Sequence, residues 1–451
     1  MPRREITRVV VVGGGAAGVL AGVALMRHSA SVEVRIVERE PIVGPGLAYG
    51  AAEPHHLLNN TVHRMSAVHG DTSHLLRWCR EQDIRVTPGS FVPRRTYGRY
   101  LADVAQGLAS SSAGRLIRVR GEAVRVREHV GAAVVQLACG WELSGDVVVL
   151  ALGNPPPSPQ PLAGVTLSGP RWVPDPWASG ALDTVVPDDR VLLLGTGLTM
   201  IDVATSLAAR HPQLRMVATS RHAMLPQPHS RAPFSVGEGV RPEAPGLSAL
   251  VRAVGRQLRA ARANGHDWRG VVDGVRPQLG DLWETLSFED RERFLRHVAR
   301  RWEVHRHRMA PEVADQVSQL RQTGRLEVRS GSPDPSVWTR IINCTGPQST
   351  ATPGWSPLVD GLLRDGAACS DPLGLGFLLN GAGALVDATG RASDRLYVLG
   401  AGRRGARWEA AAVPEIRDHA AQLAERLTGI AVDGGLSAGA RTLSEGAAAG
   451  A

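Results

Sequence analysis

A glycine pattern near the start of the chain, directly after a run of β-branched residues, most strongly constrains the fold. Residues 6–12 are typical of a strand buried on both faces, and Gly13-x-Gly15-x-x-Gly18 follows them at the start of an Ala- and Leu-rich segment. A second apolar stretch, residues 32–37, ends at Glu38, about 20 residues beyond the glycines. This order of strand, glycine turn, helix, strand and acid predicts a βαβ unit that binds a dinucleotide.

Each residue type in this pattern has a physical role in such a unit. Gly13 permits a tight turn, Gly15 lets the backbone approach a pyrophosphate, and Gly18 lets helix and strand pack closely. The free N–H groups at the helix start attract the phosphates, and the terminal acid accepts the ribose hydroxyls. The alternative is an incidental glycine turn. The predicted contacts in this unit are Gly13, Gly15, Ala16, Ala17, Gly18 and Glu38.

A second unit of the same kind is predicted far downstream. Residues 190–194 read as a strand, residues 201–210 as a helix and residues 214–219 as a further strand. Met200 stands at the third glycine position, so helix and strand are expected to pack less closely than in the first unit. The predicted contacts in the turn are Gly195, Gly197, Leu198 and Thr199.

The end of this second unit differs chemically from the first. Ser220 and Arg221 stand where the first unit has its acid. An acid would repel a 2′-phosphate, whereas a guanidinium offers a planar, charged fork for it. The sequence therefore favours NADP(H) over NAD(H) at the second unit. The alternative interpretation of Arg221 is an exposed arginine after a strand.

The remaining segments complete an α/β architecture. Residues 146–150, 340–342 and 395–399 are apolar strands that run into small-residue turns, and a helix is predicted to begin near Pro414. Residues 225–247 read as a long loop. We predict an α/β fold with two Rossmann-like dinucleotide-binding domains and a helical insertion. The predicted divisions are residues 1–165 and 338–430 for the first domain, 166–337 for the second with an insertion at about 249–322, and a flexible tail at 431–451.

The amino-acid composition limits the kinds of binding partner that are expected for this chain. The chain has 51 basic and 43 acidic residues, a net charge of +8, and every basic residue is arginine. A complete absence of lysine is more simply explained by GC-rich codon usage than by a polyanion-binding surface, so no nucleic-acid or membrane partner is expected. Four scattered cysteines without a CxxC pair indicate neither a disulfide framework nor a metal site. An immediate strand at the N-terminus and no long apolar run suggest a cytoplasmic protein.

Several longer segments resemble a known family. The chain is similar to flavoproteins with two dinucleotide-binding domains, and more closely to the bacterial FAD-NAD(P)-binding family, which is akin to the flavin-dependent N-hydroxylating monooxygenases and includes enzymes that oxidise the amino group of aspartate. The resemblance covers residues 8 to about 425. Its segments are residues 44–49 (GPGLAY), 56–60 (HLLNN), 91–101 (FVPRRTYGRYL), 195–202 (GTGLTMID), 302–308 (WEVHRHR), 343–347 (NCTGP) and 408–417 (WEAAAVPEIR).

The resemblance implies FAD in the first domain, NADPH in the second, and specific contacts to the flavin. It implies that Leu58, Asn59 and Asn60 line the flavin ring, with the Asn60 amide as the candidate catalytic group that hydrogen-bonds the nicotinamide or a peroxide adduct. Asn59 and Asn60 could instead be a turn pair. The remaining implied cofactor contacts are Gly153, Gly400, Glu409 and Val413, the last three at the ribityl chain and the pyrimidine edge.

A basic segment at residues 291–308 supplies candidate substrate residues. Taken as one helix, it places Leu295, Val298 and Trp302 on an apolar stripe. At about 100° per residue, His305 and Arg306 lie near the inward face and are candidates to bind a substrate carboxylate or the NADP phosphates.

The same helical projection turns His307 and Arg308 away from the core. A solvated basic helix, with His305 satisfied by the core, is the alternative interpretation. Metal binding by His305 and His307 is not expected, because residues i and i+2 do not share a helix face.

The expected activity is NADPH-dependent monooxygenation by FAD, with O₂ captured as a peroxide adduct of the reduced flavin, on a nitrogen of a small amino acid or amine. GC-rich bacterial coding makes a role in specialised metabolism plausible. Residues 171–177 stand where Baeyer–Villiger monooxygenases have their fingerprint, which disfavours ketone insertion, and Leu152 and Asn154 depart from the N-hydroxylase turn. A flavin dehydrogenase or oxidase and a non-catalytic flavin-binding redox protein remain alternatives, and the oligomeric state is open.

Overall fold

The computed structural model describes residues 8–429 except positions 113 and 160. The predicted tail at residues 431–451 and the first two residues of the first predicted strand lie outside the described residues. Numbered along the chain, the strands are β1 (Arg8–Val12), β2 (Glu33–Glu38), β3 (Leu116–Arg120), β4 (Ala123–His129), β5 (Ala132–Leu137), β6 (Glu142–Gly145), β7 (Val147–Leu150), β8 (Trp172–Val173), β9 (Val191–Leu194), β10 (Met216–Ser220), β11 (Leu326–Ser330), β12 (Arg340–Asn343), β13 (Ala384–Val386) and β14 (Ala392–Val398). The helices are α1 (Ala16–His28), α2 (Gly46–Gly50), α3 (His74–Glu81), α4 (Arg94–Ser111), α5 (Leu198–Arg210), α6 (Leu247–Ala263), α7 (Trp268–Val275), α8 (Leu279–Thr285), α9 (Phe288–His297), α10 (Ala299–Arg306), α11 (Pro311–Gln322), α12 (Pro357–Arg364) and α13 (Val413–Thr428).

The first sheet explains why the chain begins with a β-branched run. Its strand order is β13-β14-β7-β1-β2-β3, and only β13 runs antiparallel to its neighbour. Val9 and Val11 of the central strand pack with α1 and α13, whereas Val10 and Val12 pack with α12 on the other face. Both faces of β1 are therefore covered, which is the environment that continuous valine runs fill.

A three-stranded antiparallel sheet, β4-β5-β6, lies on the second face of the first sheet. It was not predicted from the sequence. In β5 the buried residues Ala133, Val135 and Leu137 alternate with partly buried ones. An isolated meander of this length is recognisable from sequence only by such weak period-two patterns.

The second sheet has the strand order β11-β10-β9-β12-β8, with every pair parallel. Its core joins α5 to α11, since Met200 and Leu207 share one buried cluster with Val317 and Leu320. The predicted insertion, at about residues 249–322, includes α11, but this helix packs in the core of the second sheet. A parallel β10–β11 pair requires a crossover helix packed on the sheet, and α11 is that helix.

The insertion proper comprises α6 to α10. No helix or strand occurs in residues 221–246, which precede it and include most of the predicted loop. The prediction of a single helix at residues 291–308 is wrong, because the helix is interrupted at Val298, between α9 and α10. Angles projected along one continuous helix therefore fail beyond the break. None of the described helices is long and apolar enough to cross a membrane.

Candidate nucleotide and substrate sites

Two glycines of the first loop are required by the packing of the protein itself. Gly13 has a φ of +103°, and a Cβ there would lie 2.3 Å from the carbonyl oxygen of Ala151 at the end of β7. A Cβ at Gly18 would lie 1.9 Å from the carbonyl oxygen of Gly13. These two positions therefore exclude side chains whether or not a ligand binds.

Gly15 differs from Gly13 and Gly18, because no close packing contact excludes a side chain there. It is the residue that precedes α1, its φ of −71° suits any residue, and the nearest atom to a Cβ there would be the Gly46 Cα at 3.5 Å. The fold therefore does not need a glycine at this position. A backbone without a side chain at a helix N-terminus fits a pyrophosphate, so the loop is suited to a dinucleotide.

The predicted partners of the first loop lie beside it. Glu38, at the end of β2, accepts a hydrogen bond from the Gly14 N–H through Oε2 at 2.7 Å. A Cβ at Gly400 would lie 3.5 Å from that of Ala17 and 3.9 Å from Ile416. The start of α13, where Val413 is buried, therefore lies close to α1. Gly153 occupies an exposed turn after β7.

The second loop repeats the backbone geometry of the first. Gly195 has a φ of +106°, and a Cβ there would lie 2.4 Å from the carbonyl oxygen of Cys344. Gly197 precedes α5, and the nearest atom to its Cβ position is Nη1 of Arg300 at 3.9 Å. Leu198 and Thr199 form the first turn of α5. The second loop thus also has a packing glycine and an open glycine.

The strand end of the second unit presents a hydroxyl and a free cation. The Ser220 hydroxyl lies 2.9 Å from Thr196 Oγ1 and accepts a hydrogen bond from the Ala223 N–H. Arg221 is exposed and forms no hydrogen bond or ion pair with another described residue. Its guanidinium is therefore available to a phosphate.

The Asn59–Asn60 turn of the first domain contacts the segment that precedes the insertion. The Asn59 carbonyl oxygen lies 2.9 Å from Nε2 of His229, and burial lowers the pKa of this histidine to about 4, so the neutral ring donates its Nε2–H there. Asn60 is only 6% exposed, and its side-chain amide has no hydrogen-bond partner among the described residues. Leu58 is buried beside it. The Asn60 amide therefore keeps its hydrogen-bonding groups available to a bound ligand.

Three of the family-like segments meet where the two nucleotide domains touch. Arg94 of α4 forms an ion pair of 2.8 Å with Asp202 of α5, and His56 Nε2 lies 2.8 Å from the Ser206 hydroxyl. Burial lowers the pKa of His56, although the Asp202 charge opposes this. This contact was not predicted from the sequence, and its only signal was that His56, Arg94 and Asp202 lie inside the segments 56–60, 91–101 and 195–202.

A second cluster of charged residues lies where the insertion meets the start of α13. We call it the junction cluster. It consists of Arg64, Asp273, Arg276, Arg306, Arg308, Glu409 and Glu415. Asp273 is ion-paired with Arg308 and lies 3.2 Å from Arg64 Nη2. Arg276 binds Glu415 through two hydrogen bonds, of 2.5 and 2.8 Å.

The junction cluster has more positive than negative charge. Four guanidinium groups face three carboxylates, and burial lowers the pKa of Arg308 to about 10. Burial alone would raise the pKa of Glu409, but Arg306, His307 and the Trp302 N–H lower it to about 2. Buried N–H groups of Arg306 and Arg308 find no hydrogen-bond acceptor within the described part of the chain. Glu409 Oε2 is also buried without a hydrogen-bond donor and lies 3.5 Å from Arg306 Nη2, so part of this positive charge is balanced within the cluster.

The candidate substrate residues of this region lie in environments that differ from those predicted by the single-helix projection. Arg306 is 4% exposed, with Nη2 at 3.5 Å from Glu409 and 3.7 Å from Glu415, so it does not face an open site. His305 does not share that environment, since Nδ1 contacts the Arg301 carbonyl and its ring packs edge-on against a tryptophan.

Arg308, predicted to point away, is 1% exposed, because the break at Val298 reorients α10. His307 was also predicted to point away, but its Nε2 lies 3.7 Å from Glu409 Oε2. The solvated-helix alternative is therefore wrong for Arg306 and Arg308. Glu409, which the resemblance places at the ribityl chain, accepts a hydrogen bond from Trp302 Nε1 at 3.1 Å.

Comparisons with known proteins agree with this geometry. Residues 10–155 match the family model described as FAD-NAD(P)-binding, which is the family that the resemblance indicated. A sequence comparison with curated proteins finds no significant match.

Solved structures of similar fold extend the comparison to the whole chain. Ornithine hydroxylase of Pseudomonas aeruginosa is 15% identical, with a TM-score of 0.61. The ornithine N-hydroxylase of Kutzneria sp. 744, solved with reduced FAD, NADP⁺ and L-ornithine, is 13% identical with a TM-score of 0.58. L-lysine 6-monooxygenase of Pseudomonas syringae is 16% identical with a TM-score of 0.58. Each alignment covers 94% of this chain and 99% of the other, which confirms the predicted α/β fold class.

Proposed function

We propose that the chain is an NADPH-dependent FAD monooxygenase that oxygenates a nitrogen atom of a small amino acid or amine. The observation that carries the proposal is the pair of open glycines, Gly15 and Gly197, at matching positions of two dinucleotide folds with different strand ends. The likeness of the whole chain to ornithine and lysine hydroxylases supports the reaction class.

The residues divide between the two nucleotides. Glu38 and the first loop would hold FAD, while Ser220 and Arg221 would hold the 2′-phosphate end of NADPH. The flavin, when bound, accepts a hydride and passes electrons to oxygen. The protein contributes positioning, and the Arg94–Asp202 contact fixes the second domain against the first. Asn60 would donate its amide N–H at the reacting face.

The junction cluster supports a substrate that carries a carboxylate. It lies between the Asn59–Asn60 turn and the start of α13, both of which are proposed flavin contacts. Arg64 is its most accessible guanidinium, with 28% of the side chain exposed. Arg306 would then supply charge behind the site rather than a direct contact.

The reaction class is tested by stoichiometry. We expect NADPH oxidation to depend on an amine substrate, to consume oxygen and to yield a hydroxylated nitrogen. Anaerobic turnover with an artificial acceptor at the aerobic rate would identify a dehydrogenase instead. Absence of NADPH oxidation with every amine tested would identify a non-catalytic flavoprotein.

The substrate class is tested at Arg64. Arg64→Met is expected to raise the KM of a carboxylate-bearing amine roughly 10- to 100-fold, the range of a lost hydrogen bond between charged groups. The KM of the decarboxylated amine should not change. Arg85→Met, at an exposed arginine of the same domain, serves as the control. Equal increases for both amines would contradict a carboxylate contact.

A further inference from the structure

We infer that Arg300 binds the pyrophosphate of the second nucleotide and that the insertion supplies this residue to the second loop. The inference rests on the proposed function, since it requires that the second loop binds a dinucleotide. Arg300 was not among the residues indicated by the sequence pattern, because it lies about 100 residues downstream of the loop that it contacts.

Arg300 is held over the second loop by one of its two terminal nitrogens. Nη2 lies 3.1 Å from the Thr196 carbonyl oxygen, 3.1 Å from the Thr196 hydroxyl and 2.6 Å from the Met224 carbonyl oxygen. The other terminal nitrogen, Nη1, is the atom nearest to the Cβ position of Gly197. One side of the guanidinium is therefore anchored, and the other is turned toward the open glycine.

The remaining donors of Arg300 are not used within the described residues. Neither Nε nor Nη1 forms a hydrogen bond there, and no carboxylate of the described chain lies within ion-pair distance. Burial lowers the pKa of Arg300, opposed by the more distant charge of Glu303. A partly desolvated cation that lacks a counter-ion favours an anionic ligand.

The helix that begins at the second loop strengthens this argument. The first turn of α5 contains no acidic residue, and its free N–H groups carry partial positive charge. Arg300 adds a full positive charge at the same place. Like charges repel, so the arrangement becomes favourable when a phosphate lies between them.

The position of Arg300 distinguishes the pyrophosphate from the 2′-phosphate. In a dinucleotide fold the second glycine approaches the pyrophosphate, whereas the end of the second strand contacts the adenosine ribose. Arg300 faces Gly197, and Arg221 stands at the strand end. The two arginines are therefore assigned to different phosphates, and only Arg221 should separate NADPH from NADH.

Isothermal titration of the flavin-loaded protein with two fragments separates these roles. ADP-ribose contains the pyrophosphate without a 2′-phosphate, and 2′-AMP contains the 2′-phosphate without a pyrophosphate. Arg300→Met is expected to weaken ADP-ribose roughly 10- to 100-fold and to leave 2′-AMP unchanged. Arg300→Lys should restore part of the loss, because it keeps the charge without the fork.

The control is Arg301→Met, at the exposed neighbour on α10, which should change neither affinity. Equal losses for both fragments would overturn the inference, since they would show that Arg300 only shapes the loop. A loss confined to 2′-AMP would also overturn it, in favour of a 2′-phosphate contact. If the unaltered protein binds neither fragment, the proposed function fails as well, because the second loop then binds no dinucleotide.

Discussion

The two glycine loops share a backbone and differ in what surrounds it. In both, the first glycine adopts a positive φ and packs against a carbonyl oxygen of the neighbouring strand end, Ala151 for Gly13 and Cys344 for Gly195. In both, the second glycine is open. Over Gly15 lies the backbone of Gly46, whereas over Gly197 lies the guanidinium of Arg300.

This difference shows which parts of a dinucleotide motif serve the fold and which serve the ligand. The first glycine recurs because the neighbouring strand end leaves no room for a side chain, whereas Gly18 has no counterpart, since Met200 stands at its position in the second loop. The strand-end residue and the group above the open glycine are free to vary, and here they vary in charge. The first loop is flanked by Glu38 and by the backbone of Gly46. The second loop is flanked by Arg221 and Arg300. Under the proposed function, two similar backbone loops would therefore bind different nucleotides.

The largest effect is expected at a packing glycine. Gly18→Ala should lower the free energy of unfolding by about 3 kcal/mol or more, because its Cβ would overlap the Gly13 carbonyl and backbone must move. Urea unfolding measures this. Gly361→Ala in α12, where nothing lies within 4 Å, should instead be neutral or stabilising. Equal stability of the two variants would contradict the conclusion that Gly18 is required by packing.

The open glycines should show the opposite behaviour. Gly15→Ala is expected to keep the stability of the flavin-free protein while FAD affinity falls by about 2 kcal/mol, roughly 30-fold. Gly197→Ala should keep the flavin and weaken NADP⁺ by a similar factor. Flavin content and titration calorimetry measure the two. If either substitution weakened both nucleotides equally, the loops would not be separate sites.

A smaller and more selective effect is expected at Arg221. Arg221→Met should weaken NADPH about tenfold and leave NADH unchanged, because only NADPH carries the 2′-phosphate. Titration with both nucleotides measures this, and Arg215→Met, at an exposed arginine just before β10, is the control. Equal losses of affinity for NADPH and NADH would show that Arg221 does not bind the 2′-phosphate.

The smallest effect concerns the contact that joins the two units. Burial lowers the pKa of His56, so the native ring stays neutral where an unfolded histidine, with a pKa of about 6.5, takes up a proton. Stability should therefore fall as pH drops below about 6.5 toward the lower native pKa. His56→Gln should reduce that slope by up to about 1.4 kcal/mol per pH unit in urea unfolding. An unchanged slope would contradict this.

The sequence predicted what depends on local pattern. The two loops, Glu38 and Arg221 follow from glycine spacing and strand ends, whose geometry is set within about 30 residues. The junction cluster was only partly predictable. It combines Arg64, Asp273, Arg308 and Glu409 from separate segments, and its arrangement depends on the break at Val298, which no proline or glycine marks.

If the two loops bind two different nucleotides that exchange a hydride, NADPH must reduce the bound flavin without oxygen. The experiment mixes the flavin-loaded protein with NADPH in the absence of oxygen and follows the flavin absorbance. We predict that the absorbance bleaches, and faster with NADPH than with NADH. A flavin spectrum that stays unchanged at saturating NADPH would contradict the account.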